Sequence, residues 1–137
     1  MLYPNDLRRS RSCVFSLHAH LVFVTKYRRK VFFLEHLMAM RKFFEKVCSD
    51  FDVVLREFNG EGDHVHLLVN YPPKVCLSRL VNSLKGVSSR LLKQQFKDLE
   101  RYYWKGALWS PSYFVSSCGG APISIIRQYI EGQQTLR

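Results

Sequence analysis

The sequence predicts an α+β fold: a split βαβ, ferredoxin-like antiparallel sheet with helices on one face, plus one C-terminal helix. Strand-type alternation and helix-type periodicity succeed one another in the order β-α-β-β-α-β-α, which is the order of that fold followed by one more helix. The chain has 137 residues and 47% hydrophobic content, with no repeat or linker. These values suit a single domain, residues 1–137, with its own core.

The first strand is predicted from Phe15 to Thr25, after a basic N-terminal segment of residues 1–12. Its odd-numbered residues from Phe15 to Phe23 are apolar, and the other face begins polar and ends apolar. The basic run Lys26-Tyr27-Arg28-Arg29-Lys30 follows. Apolar residues then recur at helical spacing, which predicts a helix from Leu34 to about Asp50.

Two further strands are predicted from about Asp52 to Phe58 and from about Asp63 to Asn70. Asn59-Gly60 stands between them and is a hairpin signal, so the two strands are expected to be antiparallel neighbours. In this topology the first and third strands are central. The strand from Asp63 to Asn70 is therefore expected in the middle of the sheet.

A second helix is predicted from about Leu77 to Leu99, and a short strand from about Tyr113 to Ser117. A last helix is predicted from Pro122 to about Gln134, within a C-terminal segment of residues 121–134. Gly119-Gly120 precedes it, either as a tight strand-to-helix turn or as a hinge.

His64 and His66 are the first candidate site residues. On a strand, alternate side chains share a face, so the two imidazoles project side by side while Val65, Leu67 and Val69 face the core. Two imidazoles are two-thirds of a metal site, which an oxygen donor would complete for a divalent ion that handles phosphate. The alternative is a pair of solvated or hydrogen-bonded strand histidines without a metal.

The charge balance favours a polyanionic partner. Lys and Arg outnumber Asp and Glu by 21 to 11, which gives a formal net charge of +10 and a pI near 9.7. Nucleic acid is the first candidate, and a solubilising surface is the alternative. The second long helix carries a basic stripe that includes Arg79, although such a stripe is also typical of a solvated face. The residues expected to contact the DNA backbone are Lys26, Arg28, Arg29, Lys30, Arg90, Lys93 and Lys97.

The chain shows no sign of secretion or membrane insertion. Four scattered cysteines without a CxxC pair predict reduced, buried thiols: Cys13, Cys48, Cys76 and Cys118. No apolar run reaches the length of a membrane span, and the N-terminus is polar and basic. We therefore expect a cytoplasmic protein that reaches DNA.

The last predicted helix places Tyr129 and Gln133 four residues apart, on one face. A hydroxyl nucleophile and an amide oxygen donor thus lie together, while Ile123, Ile126 and Ile130 form an anchoring stripe. The alternative is a tyrosine at the rim of the core and a solvated glutamine.

Four ordered motifs together resemble the single-tyrosine HUH transposases, the TnpA type encoded by the smallest bacterial insertion sequences. These motifs are GDHVHLLVNYPP, VTKYRRKVF, LWSPSYFVSSCGG and RQYIEGQ, and the resemblance runs from about Val14 to Gln133. It implies a homodimeric enzyme that cuts and rejoins single-stranded DNA at element ends, which it recognises as imperfect palindromes folded into hairpins. It also implies that the last helix can serve the histidine pair of either subunit.

Carried over residue by residue, the resemblance makes Tyr129 the nucleophile and His64, His66 and Gln133 the metal ligands. The ion would be Mg²⁺ or Mn²⁺, of which Mn²⁺ is the better match for imidazole. Cleavage would leave a 5′-phosphotyrosine and a free 3′-hydroxyl. Since that ester preserves the phosphodiester bond energy, we expect no nucleotide cofactor, and no glycine pair resembles a phosphate loop.

Other functions remain open on the sequence alone. One is a domesticated relative that acts on chromosomal repetitive palindromes, or a replication-type nickase with the same chemistry. Another is a non-catalytic module that binds single-stranded DNA or RNA, as split βαβ sheets with aromatic and basic surfaces commonly do.

Overall fold

The computed structural model describes residues 7–103, 106–117 and 129–132 of the chain. In these ranges a short hairpin, β1 (Arg8–Ser10) and β2 (Cys13–Phe15), precedes the main sheet. The main sheet contains four described strands: β3 (His18–Val24), β4 (Val54–Gly60), β5 (His64–Asn70) and β6 (Phe114–Ser117). Two α-helices accompany them, α1 (Leu34–Asp50) and α2 (Leu77–Gln95).

The main sheet has the strand order β4-β5-β3-β6, and every neighbouring pair is antiparallel. If the four strands of this sheet are numbered in chain order, they lie side by side in the order second, third, first, fourth, which is the ferredoxin-like order. The sequence-based prediction of the fold class is confirmed, and so is the central position of the first and third strands. Of the predicted C-terminal helix, the structure describes residues 129–132, of which 129–131 have helical backbone.

Both α1 and α2 pack on one face of the sheet, where the core lies. Alternation along β3 and β5 sends every second side chain into this core, and the helices add residues such as Met40 and Leu84. Phe23 lies at its centre, with edge-on ring contacts to Phe44 at 6.0 Å and Trp109 at 5.8 Å. Each such fully buried side chain contributes about 1.5–3 kcal/mol to stability. The residues of the two central strands that face this core are Ala19, Leu21, Phe23, Val65, Leu67 and Val69.

The register of β3 and β5 decides what lies on the other face. Val22 is paired with His66, and Val24 is paired with His64. Both valines are fully buried although they point away from the two helices. The face opposite the helices therefore carries the histidine pair beside a small apolar cluster.

The first predicted strand is in fact two strands, because pairing breaks between Phe15 and His18. The N-terminal hairpin was not predicted, since β1 has the sequence Arg-Arg-Ser and no apolar alternation. Arg8 holds it on the sheet through hydrogen bonds to Asn70 Oδ1 at 2.6 Å and to the Asp52 carbonyl at 2.7 Å.

Asn59-Gly60 is not the turn between β4 and β5, although these strands are antiparallel neighbours as predicted. Strand β4 continues to Gly60, and residues 61–63 make the connection. The Gly62 carbonyl accepts hydrogen bonds from the backbone N–H groups of Val31 and Phe32 at 2.8 and 3.0 Å. These long-range contacts override the local turn signal.

Helix α2 is shorter than predicted and ends at Gln95. Phe96 has extended backbone, with φ −123° and ψ 94°, and a 3₁₀ segment follows from Lys97 to Tyr102. The Phe96 ring packs edge-on against the buried His36 ring at 4.7 Å, and Leu99 is fully buried. This packing ends the helix, so Lys97 lies outside it.

The prediction that the cysteines are buried holds for Cys48 and is wrong for Cys13 and Cys76, which are exposed. All three are free thiols. Burial raises the pKa of Cys48 to about 12, so this thiol stays protonated. Cys118 and Gly119-Gly120 lie outside the described residues.

Among the described helices, none is both long enough and apolar enough to span a membrane.

Two glycine substitutions test the packing around the β4–β5 hairpin. A Cβ at Gly60 would lie 2.7 Å from Leu37 Cδ2 and 2.9 Å from Val65 Cγ1, whereas a Cβ at Gly86 in α2 would meet nothing within 4 Å. We expect Gly60→Ala to lower the free energy of unfolding by about 1–3 kcal/mol through overpacking. Gly86→Ala should raise it by about 0.5–1 kcal/mol, because alanine favours the helix. Urea denaturation of both variants measures this, and equal effects would contradict the close packing of α1 on the hairpin.

Candidate functional site

His64 and His66 project from the same face of β5, away from the two helices, as their spacing predicts. Their ring centroids are 5.4 Å apart. His64 is 8% exposed and His66 is partly buried. The strand thus presents two imidazoles side by side on a rigid element.

Asp63 orients the His64 ring, a role that the sequence analysis missed. Its Oδ1 lies 2.8 Å from His64 Nδ1, and its Oδ2 lies 3.3 Å from Arg28 Nε. A neutral His64 whose Nδ1–H donates to this carboxylate keeps the lone pair of Nε2 free for a metal. The signal in the sequence was the position of the aspartate directly before the first histidine.

The turn after β3 holds Asp63 in place. The Thr25 N–H donates to the Asp63 carbonyl at 2.9 Å, and the Thr25 hydroxyl donates to the Arg29 carbonyl at 2.6 Å. Tyr27 and Arg28 have φ values of +59° and +56°, a left-handed conformation that is rare for non-glycine residues. This backbone directs the Arg28 guanidinium to Asp63.

The surroundings of His66 favour its uncharged form. Burial is the main cause that lowers its pKa below the ordinary 6.5, and the neighbouring His64 lowers it further. A neutral imidazole is the form that ligates a metal. Because the folded pKa is depressed, the stability that His66 contributes is present above pH 6.5 and is lost as the pH falls through the folded pKa.

Tyr129 lies on the same face as the histidines, one strand away. Its ring packs against Val22 and Val24, which are paired with His66 and His64, and lies 5.6 Å from the Phe114 ring. Burial raises the pKa of Tyr129, and a hydrogen bond with Ser112 opposes that rise.

The predicted third ligand, Gln133, lies outside the described residues. Within residues 7–103, 106–117 and 129–132, no three side chains of His, Cys, Asp or Glu gather into a group that could hold a metal. To hold a metal, the two imidazoles would therefore need a further donor of another kind or from another part of the chain. An amide oxygen fits that need chemically.

The first basic segment lies at the Asp63 end of the sheet. Arg28 is paired with Asp63, and Arg29 donates to the Tyr102 carbonyl at 3.4 Å. The Lys26 ammonium lies 5.6 Å from the centre of the Tyr27 ring, and Lys30 is exposed. Three of the four predicted DNA contacts, Lys26, Arg28 and Arg29, thus also have partners within the protein.

The second basic group lies elsewhere. Arg90 and Lys97 are exposed, and the Lys93 ammonium lies 5.6 Å from the centre of the Tyr103 ring. Since α2 packs on the face opposite the histidines, the structure does not bring this group together with the histidine pair.

The sequence matches the family profile described as "Transposase IS200 like" over residues 13–133. The transposase for insertion sequence element IS200 of Salmonella typhimurium is 36% identical over 114 residues, which cover 83% of this chain and 74% of that protein. The ISDra2 transposase TnpA of Deinococcus radiodurans is 28% identical over 133 residues, which cover 97% of this chain and 95% of that protein.

Solved structures agree on the fold. The crystal structure of a candidate transposase from Deinococcus radiodurans R1 superimposes with a TM-score of 0.85 at 30% identity, covering 94% of this chain and 99% of that chain. The REP-associated tyrosine transposase bound to a REP hairpin superimposes with a TM-score of 0.57 at 12% identity, covering 92% of this chain and 70% of that chain. The second likeness concerns the fold alone.

The fold, the paired histidines and these relatives define a transposase, a protein that transfers DNA strands. The chain belongs to the IS200-like family of transposases.

The tautomer of His64 tests the orienting role of Asp63. In Asp63→Asn the side chain has one acceptor for two donors, Arg28 and His64, so we expect the Nδ1–H tautomer of His64 to lose its dominance. Nitrogen chemical shifts of ¹⁵N-labelled, metal-free protein measure the tautomer. Asp98→Asn is the control, because it neutralises an exposed carboxylate beside a different histidine, with Asp98 Oδ2 3.6 Å from His36 Nε2. An unchanged tautomer in Asp63→Asn would remove Asp63 from this role.

Proposed function

We propose that the protein cleaves and rejoins single-stranded DNA at the ends of an insertion sequence, with Tyr129 as nucleophile and a divalent metal at His64 and His66. One observation carries the proposal. Tyr129 packs on Val22 and Val24, and these two valines are the register partners of the two histidines. Tyr129 therefore packs over the same face of the sheet from which the two imidazoles project, one strand away from them.

The donor set fits a divalent metal. The His64 Nδ1 is bonded to Asp63, its Nε2 has a longer contact of 3.5 Å with the exposed Glu61 carboxylate, and burial favours the neutral form of His66. Gln133 is the proposed third ligand, as the family resemblance implies. When bound, Mg²⁺ or Mn²⁺ supplies positive charge that offsets the charge developing on the phosphate.

The chain's own residues perform the strand transfer. The Tyr129 hydroxyl attacks the phosphorus, so that the Tyr129 oxygen–phosphorus bond forms and the bond to the 3′ oxygen breaks. The phenol loses its proton and the departing 3′ oxygen gains one. Attack of a 3′-hydroxyl on the 5′-phosphotyrosine reverses the exchange and frees Tyr129, so no nucleotide cofactor is needed.

The proposed partners are DNA hairpins at the element ends and a second copy of the chain. The net charge of +10 supports binding of a polyanion, and the basic segment Lys26–Lys30 begins beside the histidine pair. The REP-associated tyrosine transposase, which has a similar fold, was solved with a REP hairpin. Family membership supports the homodimer and a cytoplasmic site of action on DNA.

Tyr129→Phe tests the nucleophile. It removes one oxygen and keeps the ring on Val22 and Val24, so we expect normal folding and hairpin binding but no covalent protein–DNA adduct. The measurement is a denaturing gel of protein incubated with labelled single-stranded element ends and Mn²⁺. Tyr113→Phe is the matched control and should form the adduct. An adduct in Tyr129→Phe would assign the nucleophile to another tyrosine.

Replacing His64, His66 or Gln133 by alanine tests the metal site. Each variant should bind Mn²⁺ at least about tenfold more weakly by calorimetry, and excess Mn²⁺ should partly restore cleavage because two ligands remain. His20→Gln changes a nearby histidine that is no proposed ligand and should keep normal affinity. Full cleavage by the unmodified protein in excess EDTA would contradict the metal role.

A further inference from the structure

The segment from Trp109 to Ser112 runs beside the end of β3 that is level with His64. Trp109 forms a bridge with Thr25, and the Ser110 N–H donates to the Val24 carbonyl at 2.8 Å. Val24 is itself paired with His64 on the other side of β3. We refer to residues 109–112 as the serine loop.

Helix α2, which packs on the face of the sheet opposite the histidines, holds the serine loop in place. The Lys85 ammonium donates to the carbonyls of Ser110 at 2.6 Å and Ser112 at 3.1 Å. The Trp109 indole N–H donates to the Ser88 hydroxyl at 3.1 Å, in a fully buried contact. The backbone of Ser112 is therefore held by a charge-assisted contact, which is stronger than a neutral one.

The Ser112 hydroxyl lies 2.9 Å from the Tyr129 hydroxyl. The other contacts of the Tyr129 ring described above, with Val22, Val24 and Phe114, are apolar. Apolar packing is non-directional, so it fixes the plane of a ring far better than the position of its hydroxyl. A hydrogen bond is directional and can fix that oxygen.

We propose that Ser112 is a positioning residue for the tyrosine nucleophile: held by Lys85, it keeps the Tyr129 oxygen at the end of the sheet that is level with His64. This inference rests on the proposed role of Tyr129. As the phenol loses its proton, the Ser112 O–H donates to the phenolate oxygen and stabilises it. Ser112 itself neither gains nor loses a proton, and the bonds that form and break are those of the strand transfer above.

Single-turnover cleavage of element ends, followed against pH, tests this role. We expect Ser112→Ala to cleave roughly five- to tenfold more slowly, the rate factor that one neutral hydrogen bond is worth. Its pH–rate profile should shift to higher pH, while its affinity for hairpin DNA and its melting temperature stay unchanged. Ser112→Thr keeps the hydroxyl and should restore most of the rate.

Ser116→Ala is the matched control. It removes a hydroxyl from the neighbouring strand β6, and this hydroxyl is buried without a hydrogen-bond partner among the described residues. It should cleave like the unmodified protein. Cleavage by Ser112→Ala at the unmodified rate, or an equal loss in Ser112→Thr, would overturn the proposal.

A second measurement does not depend on cleavage. In protein with ¹³Cζ-labelled tyrosine, the Tyr129 signal is assigned from its absence in Tyr129→Phe, and its titration is compared between Ser112→Ala and the unmodified protein. We expect the pKa of Tyr129 to be higher in Ser112→Ala, and an unchanged pKa would overturn the proposal. If the unmodified protein formed no DNA adduct, the proposed function would fail, while this titration would still decide whether Ser112 holds Tyr129.

Discussion

The pairing of β3 with β5 is the interaction on which the rest of the structure depends. Seven residues of each strand pair in one antiparallel register. That register sends six apolar side chains into the core under the helices and sets Val22 and Val24 beside His66 and His64 on the other face. A slip of one residue would exchange the two faces of β5 and bury both imidazoles against apolar helices. Core stability and site geometry are therefore fixed by the same hydrogen bonds.

Around the histidines, long-range contacts hold a backbone that is unfavourable on its own. Left-handed conformations at Tyr27 and Arg28 cost on the order of 1 kcal/mol each or more. Nearby segments of the same chain offset this cost. Val31 and Phe32 donate hydrogen bonds to the Gly62 carbonyl, and Arg28 forms an ion pair with Asp63. The result is a carboxylate held at both oxygens, which restricts the His64 ring before any ligand arrives. The strained residues Tyr27 and Arg28 thus lie beside the carboxylate that orients the His64 ring.

How much of this the sequence could predict depends on whether a feature is local. Period-two alternation was enough to give the shared face of His64 and His66, and helical spacing gave α1 as Leu34 to Asp50. The succession of strands and helices along the chain gave the fold class, and with it the central strands. The end of α2 could not be predicted, because the packing of Phe96 against His36 decides it.

The residues that surround the site could not be predicted from the sequence either, because their contacts are also long-range. Asp63, Lys85 and Ser112 meet their partners only when β3, α2 and the serine loop come together. A charge count likewise cannot tell that Arg28 is paired with Asp63 or that Arg90 lies on the side opposite the histidines. The roles of Gln133 and of Gly119-Gly120 as a hinge or tight turn stay predictions, because these residues lie outside the described part of the chain.

The packing of Tyr129 fixes the position of its ring but does not make its hydroxyl more reactive. Val22, Val24 and Phe114 place the ring on the histidine face of its own chain, and the same apolar contacts raise the pKa of its phenol. A neutral phenol is a weak nucleophile, so the fold alone holds the tyrosine in place without activating it. Under the proposed mechanism, activation would come from the positive charge of a metal held by His64 and His66, assisted by the Ser112 hydrogen bond. On that proposal the ring is in place before the DNA binds, and its hydroxyl becomes reactive only afterwards.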